Sequence, residues 1–113
     1  MTTVQRIPLE IPMRDGVRLK ADLYTADAAD LRTPRPTVLQ RTPYSRAMAQ
    51  YVDAAVHLAE RGYACVIQDV RGRNDSEGEW RAHEQEGADG FDTIEWVAAQ
   101  PFSNGAVGTL GGS

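Results

Sequence analysis

The sequence predicts an α/β protein in which an antiparallel hairpin leads into a parallel βαβαβ sheet. Three observations carry that expectation. Apolar residues alternate on both sides of Asp15-Gly16, as the two strands of a half-buried hairpin require. The run "YACVIQDV" is continuously apolar and partly β-branched, the pattern of a strand covered on both faces. Before and after it, apolar residues recur at three- and four-residue spacing, so strands and helices alternate along the chain.

The first strand carries Ile7, Leu9, Ile11 and Met13 on one face, and the second carries Val17, Leu19, Ala21 and Leu23. Asp15-Gly16 between them supplies the positive φ of a tight turn. "TADAADLRTPRP" is a polar, proline-bearing loop, and Val38-Leu39 form the apolar centre of the next strand. That strand ends before Pro43, which lacks an N–H and pushes Thr42 out of helical space. Met48, Tyr51, Val52, Ala55, Leu58 and Ala59 mark a helix, and Gly62 is its natural stop. After "YACVIQDV", a loop rich in Gly, Asn and acidic residues runs to about Gly87. Phe91, Ile94, Val97 and Ala98 then predict a second helix, ended by Pro101 and the turn "PFSNG". "AVGTL" is a short final strand.

Bulk properties narrow the function classes. The 113 residues suffice for one small domain, and 42% apolar with 25% charged residues is an ordinary globular mix. Sixteen acidic residues outnumber twelve Lys and Arg for a net charge of −4, and no basic stripe offers a nucleic-acid or anionic-membrane surface. The single cysteine, Cys65, has no internal disulfide partner and fits a reducing, cytoplasmic location. No stretch approaches the roughly 20 apolar residues of a membrane span.

In a parallel sheet, ligands bind at the carboxyl ends of the strands. Three stretches are expected there: "RTPYS", "DVRGRNDSEG" and "GGS". Gly111-Gly112-Ser113 has the composition of a linker, but it also matches the front half of a nucleophile elbow. In such an elbow, small residues permit the sharp bend that lifts a serine above the sheet edge. Tyr44, stiffened by Pro43, carries a neutral donor suited to an oxyanion; it equally suits an aromatic bridging core and solvent. Asp69 and Arg71 flank a strand end and could pair with each other or hold the loop backbone. Gly72 and Asn74 suit a tight turn. Glu77, Glu79, Glu84, Glu86 and Asp89 lack the spacing of a calcium loop and read as a solvated face; His83 alone makes no zinc site. No phosphate-binding glycine motif occurs. Neither His57 nor His83 is placed as a general base for Ser113, since an elbow enzyme orders Ser, then acid, then His. Cys65, inside the buried run, reads as a core residue.

Taken together, "MRDGVRLKADLYTA", "QRTPYSR", "ERGYACVIQDVRGRNDSEGEW" and "DGFDTIEWVAAQPFSNGAVGTLGGS" resemble the cocaine-esterase and Xaa-Pro dipeptidyl-peptidase-like serine hydrolases, the CocE/NonD group. The resemblance runs from about Ile11 to Ser113. It implies an α/β-hydrolase fold, with residues 1–113 the N-terminal part of a catalytic domain that a helical cap and a jelly-roll domain follow. It implies Ser113 as nucleophile, in the family's Gly-x-Ser-Tyr-x-Gly, and Tyr44 as side-chain oxyanion donor, in the family's Pro-Tyr. The second donor and the Asp and His of the triad lie beyond Ser113. One departure is Asn74, where the family often has the second glycine of Arg-Gly-x-Gly.

The implied activity is cleavage of ester or amide acyl bonds through an acyl-enzyme, with no metal or organic cofactor. Partners would be a small-molecule ester, amide or peptide, without nucleic acid or membrane; homo-oligomerisation of a longer protein stays open. Residues 1–113 by themselves are expected to be inactive and to fold poorly. An Xaa-Pro dipeptidyl peptidase, an acylase or an α-amino-acid ester hydrolase fits the same residues. So does a non-catalytic α/β binding module with an inert Gly-Gly-Ser tail.

Overall fold

The computed structural model describes residues 4–26, 33–72, 76–78 and 86–110. Five strands form one sheet: β1 (Val4–Pro12), β2 (Arg18–Ala26), β3 (Arg35–Thr42), β4 (Ala64–Asp69) and β5 (Ser103–Thr109). Helix α1 (Ala49–Glu60) joins β3 to β4, and α2 (Glu86–Ala98) lies between β4 and β5. Across the sheet the order is β1-β2-β4-β3-β5.

The hairpin closes as Asp15-Gly16 predicts. Gly16 N–H donates to the Met13 carbonyl at 2.9 Å, Met13 N–H to the Val17 carbonyl at 2.8 Å, and Gly16 takes φ +87°. β2 then meets β4 antiparallel, with Asp22 opposite Ile67. β3 runs parallel to β4 on one side and to β5 on the other.

Side-chain alternation divides the core between the two faces of the sheet. Ala64 and Val66 of β4 join Leu19, Ala21, Leu23, Leu39 and Val97 on the α2 side. Cys65 and Ile67 face the other way, against Tyr24 and the buried Ala55 and Ala59 of α1. All six residues of β4 are buried, as the apolar run foretells. Chain reversal after α1 uses Gly62, the predicted stop, at φ +98°.

Helix α2 forms where Phe91, Ile94, Val97 and Ala98 predict it, but it turns Asp89, Thr93 and Val97 to the sheet, whereas Phe91 is 58% exposed and Ile94 36%. The face that packs is lined by shorter side chains, and two of them find buried hydrogen-bond partners. The final strand also begins earlier than "AVGTL". Ser103 pairs with Arg35, and a register shift between Arg35 and Thr37 absorbs the glycine-bearing stretch predicted as a turn. Among the described residues no helix is long and apolar enough to cross a membrane.

Candidate active site at the carboxyl edge of the sheet

Strands β4, β3 and β5 are parallel neighbours, so their carboxyl ends share one edge. Thr42 stands opposite Asp69, and Leu39 opposite Thr109. The chain leaves β3 for α1 on one face and leaves β4 for α2 on the other. In such sheets, ligands usually sit above the strand ends at the point where the connections diverge to opposite faces.

Tyr44 sits in the loop that leaves β3 there. Its backbone is fastened on both sides. The Val70 N–H donates to the Thr42 carbonyl at 3.0 Å, and the Tyr44 N–H donates to Thr42 Oγ1 at 3.0 Å. Two residues on, the Arg46 N–H donates to Asp69 Oδ1 at 2.8 Å, and Arg46 Nη1 pairs with Asp69 Oδ2. Arg46 Nε also lies 3.2 Å from Asp22 Oδ2. Asp69 and Asp22 are almost wholly buried, so the ion pairs act where solvent screens them little. On this held backbone Tyr44 itself is 62% exposed.

Asp69 and Arg71 do not pair with each other, because strand alternation and the turn after β4 send them to different partners. Asp69 anchors the Tyr44 loop. Arg71 reaches under the hairpin turn and grips two carboxylates, Asp89 through Nε (2.9 Å) and Nη2 (2.8 Å), and Asp15 through Nη1 (2.9 Å). Hydrogen bonding to Asp89 and Asp15 raises the Arg71 pKa further above its ordinary value. The same contact with Arg71 lowers the Asp15 carboxyl below the usual range. Asp89 is thus 2% exposed and paired, not part of a solvated acidic face. Glu77 is also engaged, accepting from the Arg18 backbone at 3.1 Å and from Arg18 Nη2 at 2.8 Å.

The returning loop extends the sheet where β4 stops. Ser76 Oγ donates to the Asp69 carbonyl at 2.6 Å and accepts from the Lys20 N–H at 2.9 Å, and the Glu77 N–H donates to the Arg18 carbonyl at 3.1 Å. Gly72, at φ +71°, begins the reversal, and its N–H donates to the Glu77 carbonyl at 2.9 Å.

The remaining sequence candidates divide clearly. Ser113, Gly111, Gly112, Asn74, Glu79, His83 and Glu84 lie outside the described residues. The described chain leads toward Ser113 as far as Leu110, whose N–H donates to the Leu39 carbonyl at 2.9 Å. His57 belongs to the last turn of α1. That helix starts above the carboxyl end of β3 and runs back to the amino end of β4, so His57 is at the edge away from Tyr44. Cys65 is buried among core residues, and burial pushes its thiol up to about 11. Among the described residues no group of three or more His, Cys, Asp or Glu is arranged to hold a metal ion.

The comparisons bear on family and fold. Residues 15–113 match the X-Pro dipeptidyl-peptidase (S15) family. The chain belongs to that family.

The S15 chain is 42% identical over 105 residues to the cocaine esterase of Rhodococcus sp. (strain MB1 Bresler), covering 89% of itself and 18% of that protein. Its fold superposes on an α-amino acid ester hydrolase with TM-score 0.73 at 30% identity, covering 96% of this chain and 21% of the other. A CocE/NonD family hydrolase of Staphylococcus aureus shares the fold with TM-score 0.79 at 21% identity, over 97% of this chain and 23% of that one. The fold is that of the α/β-hydrolases. The chain spans about a fifth of the length of the curated relatives it matches.

Sequence reading of this S15 chain missed Arg46, Asp22, Asp15, Gln68 and Thr93. Gln68 is wholly buried; its Oε1 accepts from Arg41 Nε at 2.6 Å and lies 3.2 Å from Thr93 Oγ1. One signal was available. Gln68-Asp69 interrupts an otherwise apolar buried run, and polar groups in such a run need partners. The partners come from distant positions, which the run does not disclose.

Proposed function

We propose that this chain is the N-terminal part of a serine hydrolase that cleaves ester or amide acyl bonds through an acyl-enzyme. Ser113 attacks the carbonyl, and Tyr44 donates its hydroxyl to the oxyanion that develops. A histidine and an aspartate later in a longer protein complete the triad. The single observation that carries the reading is Tyr44: an exposed phenol on a loop held at the carboxyl edge, beside the strand that leads to Ser113. A tyrosine hydroxyl is neutral at pH 7 and donates without a titration step. Preorganised donors of this kind stabilise charge that appears only in the transition state.

Esters are the favoured substrates, because the cocaine esterase and the amino acid ester hydrolase are the most similar relatives described above. Cleavage of Xaa-Pro peptides is the second reading, from the family's own description. Among the described residues no histidine stands at this edge, and residues 1–113 by themselves are expected to be inactive.

Labelling of the longer protein with a fluorophosphonate probe tests the proposal. The expected result is a mass shift on the peptide bearing Ser113, abolished by Ser113→Ala. Tyr44→Phe should lower kcat about 10²–10³-fold, the usual cost of one oxyanion donor. Hydrolysis that persists without labelling of Ser113 rejects the serine mechanism. A reading frame without a later Asp and His favours a non-catalytic binding module.

A further inference from the structure

We infer that Arg46, clamped by Asp69 and Asp22, is the positioning residue that sets Tyr44 for oxyanion binding. The inference rests on the proposed role of Tyr44. Three observations support it. Arg46 follows Tyr44 by two residues, so its backbone bond to Asp69 Oδ1 at 2.8 Å fixes the loop directly. Its side chain bridges the Asp69 carboxylate in β4 and the Asp22 carboxylate in β2, Nε lying 3.2 Å from Asp22 Oδ2. The loop therefore takes its position from two strands that do not carry Tyr44. Finally, the chain on the other side of Tyr44 is tied to the same strand end, through Val70 N–H to the Thr42 carbonyl at 3.0 Å.

The charge arrangement fits a rigid clamp. Asp69 and Asp22 have side-chain exposures of 0% and 2%, and Arg46 only 16%. The planar guanidinium hydrogen-bonds Asp69 through Nη1 and brings Nε within ion-pair distance of Asp22, a fixed spread of charge that an ammonium on a flexible stem does not offer. The backbone bonds on either side of Tyr44 fix the loop that presents this exposed phenol. The clamp acts on the turnover step and not on substrate affinity, because an oxyanion forms only after attack.

A double-mutant cycle in the longer protein tests this. Arg46→Ala and Asp69→Asn should each lower kcat about tenfold or more with KM little changed, since misplacement by about 1 Å can cost about 10²-fold. In a Tyr44→Phe background the same changes should cost almost nothing further, because the group being positioned is gone. Arg46→Lys should restore part of the loss in the Tyr44 background alone. Arg14→Ala, which breaks the surface pair with Asp92, serves as the stability control and should leave kcat unchanged. Losses that add fully to that of Tyr44→Phe overturn the positioning role while leaving Tyr44 as donor. A silent Tyr44→Phe overturns both. Asp69→Asn preserves side-chain volume, so the cycle can be completed with it if Arg46→Ala fails to fold.

Discussion

Arg71 meets Asp89 in a two-point contact, Nε to Oδ2 at 2.9 Å and Nη2 to Oδ1 at 2.8 Å, with both side chains almost wholly buried. The same guanidinium holds Asp15 in the hairpin turn. One side chain thereby joins the end of β4, the β1–β2 turn and the start of α2.

Asp89→Ala should destabilise the protein by up to about 3–5 kcal/mol, because it leaves the buried guanidinium with only the half-exposed Asp15 as counter-charge. Urea unfolding of the intact protein measures the loss. Arg14→Ala provides the contrast: Arg14 also ties the hairpin turn to α2, through Asp92, but its side chain is 63% exposed. Its loss should be much smaller. Equal losses from the two variants would mean that burial does not decide the strength of this contact.

Gly78 is required twice over. It adopts φ +94°, and a Cβ there would lie 2.8 Å from Arg71 Cγ and 3.2 Å from Val17 Cγ1. Gly105 adopts φ +91° with open space around it. Gly105→Ala should therefore cost about 1–2 kcal/mol from backbone conformation alone. Gly78→Ala should cost more and disturb the Arg71 contacts as well. Matching unfolding midpoints for the two variants would refute the crowding argument.

Acid should loosen the hairpin-to-loop contacts before it unfolds the core. Hydrogen bonds from Arg71, Arg14 and Arg18 hold Asp15, Asp92 and Glu77, respectively, below the usual carboxylate range. A carboxylate whose folded pKa is depressed contributes stability above its unfolded value and loses it as pH falls through the folded one. The loss should thus begin near the ordinary values of about 3.9–4.3 and deepen below them. Unfolding midpoints followed downward from about pH 6 should fall in that window, and less steeply at high salt because these pairs face solvent. Replacing all three carboxylates by amides should flatten the profile; an unchanged slope would remove them as its source.

Much of the fold was readable from local pattern. The hairpin, the doubly covered β4 and the stop at Gly62 follow from two-residue alternation, an apolar run and a glycine, and all three stand in the structure. The reading faltered where polar residues pack inward. The residues that marked α2 as a helix do not all face the sheet: Phe91 and Ile94 lie outward, and Thr93 and Asp89 pack inward. Thr93 can be buried because its hydroxyl donates to the Asp89 carbonyl at 2.7 Å. Asp89 can be buried because Arg71, 18 residues earlier, meets it.

The sequence by itself determined the element order, the α/β class and the placing of the Tyr44 and Asp69 stretches at one sheet edge, because these depend on spacing between near neighbours. Only the tertiary structure decided which charges meet. Asp69 answers Arg46, and Arg71 answers Asp15 and Asp89, across separations that no local period encodes. The physical reason is desolvation: a buried charge is tolerable only beside its partner, and the partner is selected by the folded sheet rather than by the chain.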